Sequence, residues 1–376
     1  MDKSRILITC PKGIPPFLKQ ELLALGLPVL SEKIAGVETE GTPADCQRLN
    51  LSIRTGHRVL LLLNEFPAKN PDELYQRIAA MPWEEHVPEA GYLCVTSSVE
   101  QEGIRDQRYA TLKCKDAIVD RIREKTGTRP DSGPERSGTV VHLYWKDDHC
   151  ALYLDTSGEP LSRRGYRKIP LEAPMQETLA AAVVLATSWD GNGTFINPMC
   201  GSGTLAIEAA LIGLNKAPGL LRSRFGFMQV KGYDEKLWQD LREKARQQAR
   251  KSLSGRIIAT DINPAAIEAA RKNAATAGVE QLIEFGVCSF EDTMVPEGTG
   301  VVVMNPEYGE RMGEIEKLQV VYKGIGDYFK QKCKGYTGYV FTGNPKLAKR
   351  VSLKPKQRWE FFNSNIECRL LEYDLY

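Results

Sequence analysis

Asn305, Pro306 and Tyr308 stand close together in the stretch Asn305-Pro306-Glu307-Tyr308-Gly309-Glu310-Arg311, and their types suit work on a planar nitrogen base. An asparagine side chain and the Pro306 carbonyl can accept hydrogen bonds from an exocyclic amine, and a tyrosine ring can stack on the base. The stretch follows an apolar run, Val301-Val302-Val303-Met304, that reads as a buried parallel strand. The three residues are therefore expected at the carboxyl end of a strand.

A second group lies upstream. Asn197-Pro198-Met199-Cys200-Gly201-Ser202-Gly203-Thr204 joins the strand-like Thr194-Phe195-Ile196-Asn197 to a helical pattern. Glycines there let the backbone pass close to a ligand, and a helix start favours an anionic or polar group. The same residues fit the dinucleotide pattern Gly-x-Gly-x-x-Ala through Ala206, and they equally fit a tight structural turn. Asp261 ends the next strand, in Ala259-Thr260-Asp261-Ile262-Asn263. It could accept hydrogen bonds from both ribose hydroxyls of an adenosine, with Ile262 beside it, or merely cap the helix that begins at Pro264. After the third strand, Ser289 and Phe290 stand where an adenine would lie, Phe290 as an apolar wall.

Two adenosine chemistries compete for this set. A nicotinamide dehydrogenase wants its acidic residue about 20 positions past the glycines, whereas Asp261 comes about 60 past Gly201, and no histidine follows His149 to partner a hydride. An S-adenosylmethionine methyltransferase needs no such partner. It needs the glycine loop for the methionine end, the acid for the ribose, and an acceptor site at the fourth strand, where Asn305 stands.

The elements that must position these residues fall into two patterns. Up to about residue 157 strands and helices mix as α+β: strands at Ile6–Thr9, Arg58–Phe66 and Tyr92–Ser98, a long helix over Asp106–Lys125 with Ala110, Ala117, Ile118 and Ile122 on its apolar side, and a hairpin of Thr139–Trp145 with Cys150–Leu154. No catalytic constellation is visible there. Beyond Asp155-Thr156-Ser157-Gly158-Glu159-Pro160 the rhythm becomes βα, as in a doubly wound sheet. It is interrupted over residues 213–233 and closed by an antiparallel pair, about Arg358–Phe362 and Glu367–Tyr373. Met175–Trp189 and Glu314–Lys332 read as helices.

Composition bounds the partners. The 376 residues carry 50 basic and 48 acidic side chains, a net charge of +2, so nucleic-acid contact must come from local patches rather than a basic coat. Two patches qualify. Arg163-Arg164-Gly165-Tyr166-Arg167-Lys168 lies in a hinge with an aromatic inside it and is expected to touch RNA. Lys346 to Arg358 reads as a solvated surface. Nine scattered cysteines without a Cys-x-x-Cys pair, and four histidines with none at ligand spacing, point to reduced thiols and no metal. No apolar run reaches a membrane span, and the N-terminus leads straight into Ile6-Leu7-Ile8, so a cytoplasmic protein that engages no membrane is expected.

Several stretches together resemble a known family: Thr9-Cys10-Pro11-Lys12-Gly13, Leu18–Leu27, Asp155-Thr156-Ser157-Gly158 with Arg164-Gly165-Tyr166-Arg167, Glu177-Thr178-Leu179-Ala180-Ala181-Ala182, Cys200-Gly201-Ser202-Gly203-Thr204 with Ile207-Glu208-Ala209-Ala210, Asn305–Arg311, and Asn365-Ile366-Glu367-Cys368-Arg369-Leu370-Leu371. They resemble the THUMP-containing class I RNA guanine-N2 methyltransferases over essentially the whole chain, above all the bacterial enzymes that act on 23S ribosomal RNA; relatives acting on tRNA share the architecture. The resemblance implies a ferredoxin-like domain over residues 1–57, a THUMP RNA-binding domain over 58–157, a linker over 158–172, and over 173–376 a Rossmann-like class I methyltransferase with a mostly parallel seven-stranded sheet. It further implies a monomer that binds S-adenosyl-L-methionine through Asn197, Pro198, Cys200, Gly201, Gly203, Thr204, Asp261, Ile262, Ser289 and Phe290. RNA would be met by Arg163, Arg164, Arg167 and Lys168, and the amine held by Asn305, Pro306 and Tyr308.

Three positions depart from the family pattern. Glu307 stands where a second proline is usual, Gln176 where a lysine precedes Glu177, and Asn197 where an aspartate is frequent. Glu307 is expected to point away harmlessly; the other readings are that it takes a proton from the methylated amine or marks lost activity.

Overall fold

The computed structural model describes residues 3–89, 91–102, 104, 106–169, 175–308 and 312–376. Gly309, Glu310 and Arg311 of the acceptor stretch and residues 170–172 of the expected linker lie outside the described residues. The chain divides into two compact units. One takes the chain to Cys10, Lys19–Leu161 and Arg222–Lys244; the other takes Pro11–Leu18, Ser162–Leu221 and Ala245–Tyr376.

In chain order the first elements are β1 (Ser4–Thr9), α1 (Pro15–Ala24), β2 (Ser31–Lys33), β3 (Gly36–Gly41), α2 (Pro43–Ser52), β4 (Arg58–Pro67), α3 (Pro71–Ala79), β5 (Tyr92–Glu100), α4 (Gln107–Thr126), β6 (Asp131–Ser132), β7 (Thr139–Lys146) and β8 (His149–Asp155). The strands form one eight-stranded sheet in the order β2-β3-β1-β4-β8-β7-β5-β6. Strand β4 pairs antiparallel on both sides, Leu61 facing Ile6 of β1 and Leu154 of β8. The boundary expected at 57/58 thus falls at the start of a strand shared by both halves of the sheet. Helix α2 opens with a capping box in which Thr42 and Asp45 satisfy each other's backbone amides. Helix α4 buries Ala110, Cys114, Ala117, Ile118 and Ile122, spaced three and four apart, with Leu74, Ile78 and Trp145 in one core. Each large side chain removed from water there contributes about 1.5–3 kcal/mol.

The interruption expected over residues 213–233 of the second half overlaps Arg222–Lys244, which packs within the first unit. The Arg222 guanidinium donates to the carbonyls of Ser157, Glu159 and Pro160 and lies 4.7 Å from the Phe225 ring centre. Phe225, Phe227 and Trp238 meet at 5.0–5.3 Å, and the Thr139 hydroxyl donates to the Gln229 carbonyl. Aromatic area and a buried guanidinium hold the segment, neither of which has a period to read.

The remaining elements are α5 (Glu177–Ala186), β9 (Thr194–Pro198), α6 (Thr204–Gly213), α7 (Glu235–Gln248), β10 (Ile257–Asp261), α8 (Pro264–Ala277), β11 (Ile283–Val287), β12 (Gly300–Met304), α9 (Met312–Lys332), β13 (Thr337–Thr342), α10 (Pro345–Ala348), β14 (Gln357–Asn363) and β15 (Ile366–Asp374). The second sheet runs β11-β10-β9-β12-β13-β15-β14. Its first five strands are parallel, and β15 and β14 are antiparallel, as the closing hairpin predicted. Helix α5 is shorter at both ends than the expected 175–189. The four-residue α10, capped by Asn344, is too short to show a period in the sequence. Residues 11–18 belong here: Phe17 stacks on Phe361 at 5.7 Å, and Gly13, at φ +82°, lies where a Cβ would meet the Glu360 carbonyl at 1.9 Å.

All nine cysteines are free thiols. Among the described residues no helix is long and apolar enough to cross a membrane, and no cluster of three or more His, Cys, Asp or Glu could hold a metal ion.

Candidate active site

Chain direction decides where the polar residues gather. From β9 the sheet grows one way through β10 and β11 and the other way through β12 and β13, so the order switches between β9 and β12. In open α/β sheets ligands bind at the carboxyl ends of strands beside such a switch. Asn197, Asp261, Ser289 and Asn305 all stand at the carboxyl ends of neighbouring parallel strands or just beyond them.

The glycine loop is tied to β10. Cys200 N–H donates to the Thr260 carbonyl at 2.9 Å, and Gly201 N–H donates to Asp261 Oδ2 at 2.9 Å. Asp261 Oδ1 accepts from Asn263 N–H at 2.9 Å. A carboxylate offers about four acceptor positions, so each oxygen retains capacity for a ligand hydroxyl. Asp261 is not the cap of α8: Asn263 is, accepting from Ala265 N–H. Gly201 has φ +53°, and nothing lies within 4 Å of where its Cβ would be. Gly203, at φ +82°, is pressed so that a Cβ would stand 2.9 Å from that of Ala270. Among the described residues no side chain caps the first turn of α6, which leaves its amides for a ligand.

Asn197 is fully buried. Its Nδ2 donates to the Val303 carbonyl of β12 at 2.8 Å, and its Oδ1 has no partner among the described residues. An aspartate could not donate to Val303, so the departure from the family pattern is accommodated by a bond that only the amide makes. Pro198 and Cys200 are buried behind the loop, and burial pushes the Cys200 thiol up. Ile262, 74% exposed, projects beside Asp261. Phe290 is half-buried, edge-on to Tyr328 at 6.1 Å, while the Ser289 hydroxyl is engaged with Glu291. The open space at Gly201, the unpaired buried Oδ1 and the spare carboxylate positions together fit S-adenosylmethionine.

At the end of β12, Tyr308 donates its hydroxyl to Asn305 Oδ1 at 2.8 Å. An amide oxygen has two lone pairs, so one remains for an amine. Burial pushes the Tyr308 phenol upward, keeping it a donor. The turn is held from outside the stretch: Asn344 Nδ2 donates to the Tyr308 carbonyl at 3.0 Å, and the Tyr322 hydroxyl donates to the Glu307 carbonyl at 3.2 Å. The Glu307 side chain is exposed. Neither Asn344 nor Tyr322 was legible in the sequence, because each acts on a backbone carbonyl and belongs to no motif.

The expectation that Arg163, Arg164, Arg167 and Lys168 form one RNA-facing group needs correction. Arg163 and Lys168 are exposed. Arg164 is 1% exposed and pairs with Glu208 of α6, Nε to Oε1 at 3.4 Å. Burial opposes its charge, but Glu208 more than offsets this and holds its pKa above the usual value. Tyr166 Oη donates to the same carboxylate at 3.0 Å. Arg167 Nη2 donates to the Met175 carbonyl at 2.6 Å and to Thr204 Oγ1 at 3.2 Å, 3.6 Å from Glu177. A carboxylate taken out of water demands a counter-charge, and Glu208 and Glu177 draw two of the four arginines and lysines inward.

Comparison with known proteins addresses the fold and the family. The model of an RMKL-like methyltransferase domain matches residues 164–372, that of an RlmL ferredoxin-like domain residues 5–60, and that of a THUMP domain residues 68–155. A protein of Syntrophotalea carbinolica described as ribosomal RNA large subunit methyltransferase K/L is 41% identical over 377 residues, covering 98% of this chain and 53% of the relative. The chain thus spans about half the length of the curated relatives it matches. A crystal structure of a putative methyltransferase complexed with SAH superposes with a TM-score of 0.91 at 27% identity, over 100% of this chain and 99% of the other. One of a predicted N6-adenine-specific DNA methylase from Listeria monocytogenes gives 0.90 at 31%, over 99% and 96%. The domain match over more than half its length places this chain in the RMKL-like methyltransferase family, with RlmL-type ferredoxin-like and THUMP domains ahead of the methyltransferase domain.

Proposed function

We propose that this chain transfers a methyl group from S-adenosylmethionine to the exocyclic N2 of a guanosine in 23S ribosomal RNA, acting as a monomer in the cytoplasm. The observation that carries the reading is the Asn197 bridge. Its side chain, at the end of β9 where the cofactor loop begins, bonds β12 at Val303, two residues before Asn305, so cofactor and amine sites share a frame. The THUMP match supports an RNA substrate, and the relatives described as ribosomal RNA large subunit methyltransferase K/L support the large subunit over tRNA.

When bound, S-adenosylmethionine supplies a sulfonium methyl open to in-line displacement by the amine. The amine is a poor nucleophile because its lone pair is delocalised into the ring. Asn305 Oδ1 and the Pro306 carbonyl would accept hydrogen bonds from its two N–H groups and turn the lone pair toward the methyl as the nitrogen pyramidalises; the C–S bond pair would leave with the thioether, and the methylated nitrogen would lose one proton to water. Positioning and electrostatics then supply most of the acceleration. Tyr308 would stack on a base unpaired or flipped from the RNA, an interaction worth about 1–3 kcal/mol. Asp261 would hold the ribose and Ile262 and Phe290 the adenine.

A second reading, an RNA-binding protein without turnover, rests on Glu307 in place of proline. The exposed Glu307 side chain and the Tyr322 bond to its carbonyl favour retained activity. Incubation with labelled S-adenosylmethionine and RNA from cells lacking the protein tests both, with nucleoside mass spectrometry of the ribosomal and transfer RNA. Label in N2-methylguanosine of 23S RNA is expected, falling about 10²–10³-fold with Asn305→Ala, as for loss of one preorganised polar contact. Full turnover by Asn305→Ala would sink the acceptor assignment; label in tRNA alone would move the substrate, and cofactor binding without transfer would favour the second reading.

A further inference from the structure

The loop that the cofactor reading depends on has no cap of its own. Gly203 precedes α6 without a side chain to offer, and no side-chain cap bond is made there. Beyond its bonds to β10, the loop and its helix are held by groups that lie in residues 164–169 and on α8. Asn273 of α8, 1% exposed, spends each end of its amide differently. Its Nδ2 donates to the Ser202 carbonyl at 3.1 Å. Its Oδ1 accepts from the backbone N–H of Lys168 at 2.9 Å and of Ile169 at 3.4 Å. Arg167 Nη2 reaches Thr204 Oγ1, in the first turn of α6. One turn further, Glu208 is gripped by Arg164 and Tyr166. Two points of α6 are thus pinned directly from one strap, and Ser202 through Asn273, which the strap backbone holds in turn.

We propose that Asn273 and Arg167 are positioning residues for cofactor binding, setting the Ser202 carbonyl and the start of α6 so that the first-turn amides of α6 face the methionine end. This rests on the reading of residues 197–204 as the cofactor loop. Neither residue needs to touch the cofactor. Asn273 acts through the Ser202 carbonyl and through the strap backbone, and Arg167 acts through Thr204. The basic strap, which by its charge alone suggests an RNA contact, is largely a brace for the other ligand.

Asn273→Asp separates positioning from general stability. The carboxylate keeps acceptors for Lys168 and Ile169 and nearly the same volume, but it cannot donate to Ser202 and sets an oxygen against that carbonyl. Arg167→Gln removes the long reach to Thr204. Calorimetric titration with S-adenosylhomocysteine, alongside urea melts without ligand, measures the outcome. Each variant is expected to weaken binding about tenfold, the scale of one buried hydrogen bond, beyond any loss explained by the folded fraction. In steady-state assays the KM for S-adenosylmethionine should carry the change while the KM for RNA does not move. Wild-type affinity in both variants, a loss accounted for by unfolding, or a KM change shared equally with RNA overturns the proposal. No binding of S-adenosylhomocysteine by the wild-type protein would instead overturn the cofactor-site reading on which it rests.

Discussion

In the segment Arg163–Lys168 two of four cations turn inward, whereas in Lys346–Arg358 Lys346, Lys349, Arg350, Lys354, Lys356 and Arg358 all lie exposed. Both are basic runs of the second unit. What differs is the carboxylate each must serve. Glu208 is fully buried and Glu177 is 5% exposed, and ionised carboxylates in such places need paired charges. Burial raises the Glu177 pKa, with Arg167 pulling it back. Beside the second run Glu372 is comparably enclosed, and Lys356 reaches it at 3.6 Å with the Tyr339 hydroxyl at 3.4 Å. The number of cations in a run therefore says little about the charge it offers to a polyanion; the buried acids nearby decide.

The largest effect that could break this contrast is on stability. Arg164→Met leaves Glu208 buried without its counter-charge and should cost about 3–5 kcal/mol in a urea melt, while Arg164→Met with Glu208→Leu should recover most of it. A single variant as stable as the wild type would mean that Arg164 is not committed inward. Next in size, replacing Lys346, Lys349, Arg350 and Lys354 by alanine should weaken RNA binding about tenfold and flatten its salt dependence by about 0.7 for every phosphate no longer neutralised. No change in the salt slope would return this run to a merely solvated surface. Smaller again, Arg163→Ala with Lys168→Ala should lower RNA affinity about two- to fivefold and leave S-adenosylhomocysteine titrations unmoved. If this pair mattered more than the four, the comparison would be reversed. Smallest of all, Glu307→Pro should keep methyl transfer within about twofold or raise it, since the position is exposed and its backbone is already held by Tyr322.

Local rules made much of the site legible. Glycines between a strand and a helix, an acid at the next strand end, and a polar turn after Val301–Met304 are patterns a few residues long, and strand direction alone brings them to one edge of the sheet. The long helix over 107–126 and the closing hairpin followed from periodicity and turn residues in the same way. The anchors were not legible. Asn273 meets Lys168 across 105 positions and Ser202 across 71, and Asn344 meets Tyr308 across 36. Such pairs leave no spacing signature, because a polar side chain that satisfies a distant carbonyl looks like any other asparagine.

What the amino-acid order determined by itself is the set of groups proposed to hold an adenosine and an amine, and the parallel strands that carry them, because those depend on contiguous residues. Tertiary structure alone decided that β4 belongs to both halves of one sheet, that Arg222–Lys244 packs within the first unit, and that Arg164 and Arg167 face inward. Each of these turns on which buried charge, carbonyl or ring needed a partner, and that need exists only once packing has excluded water.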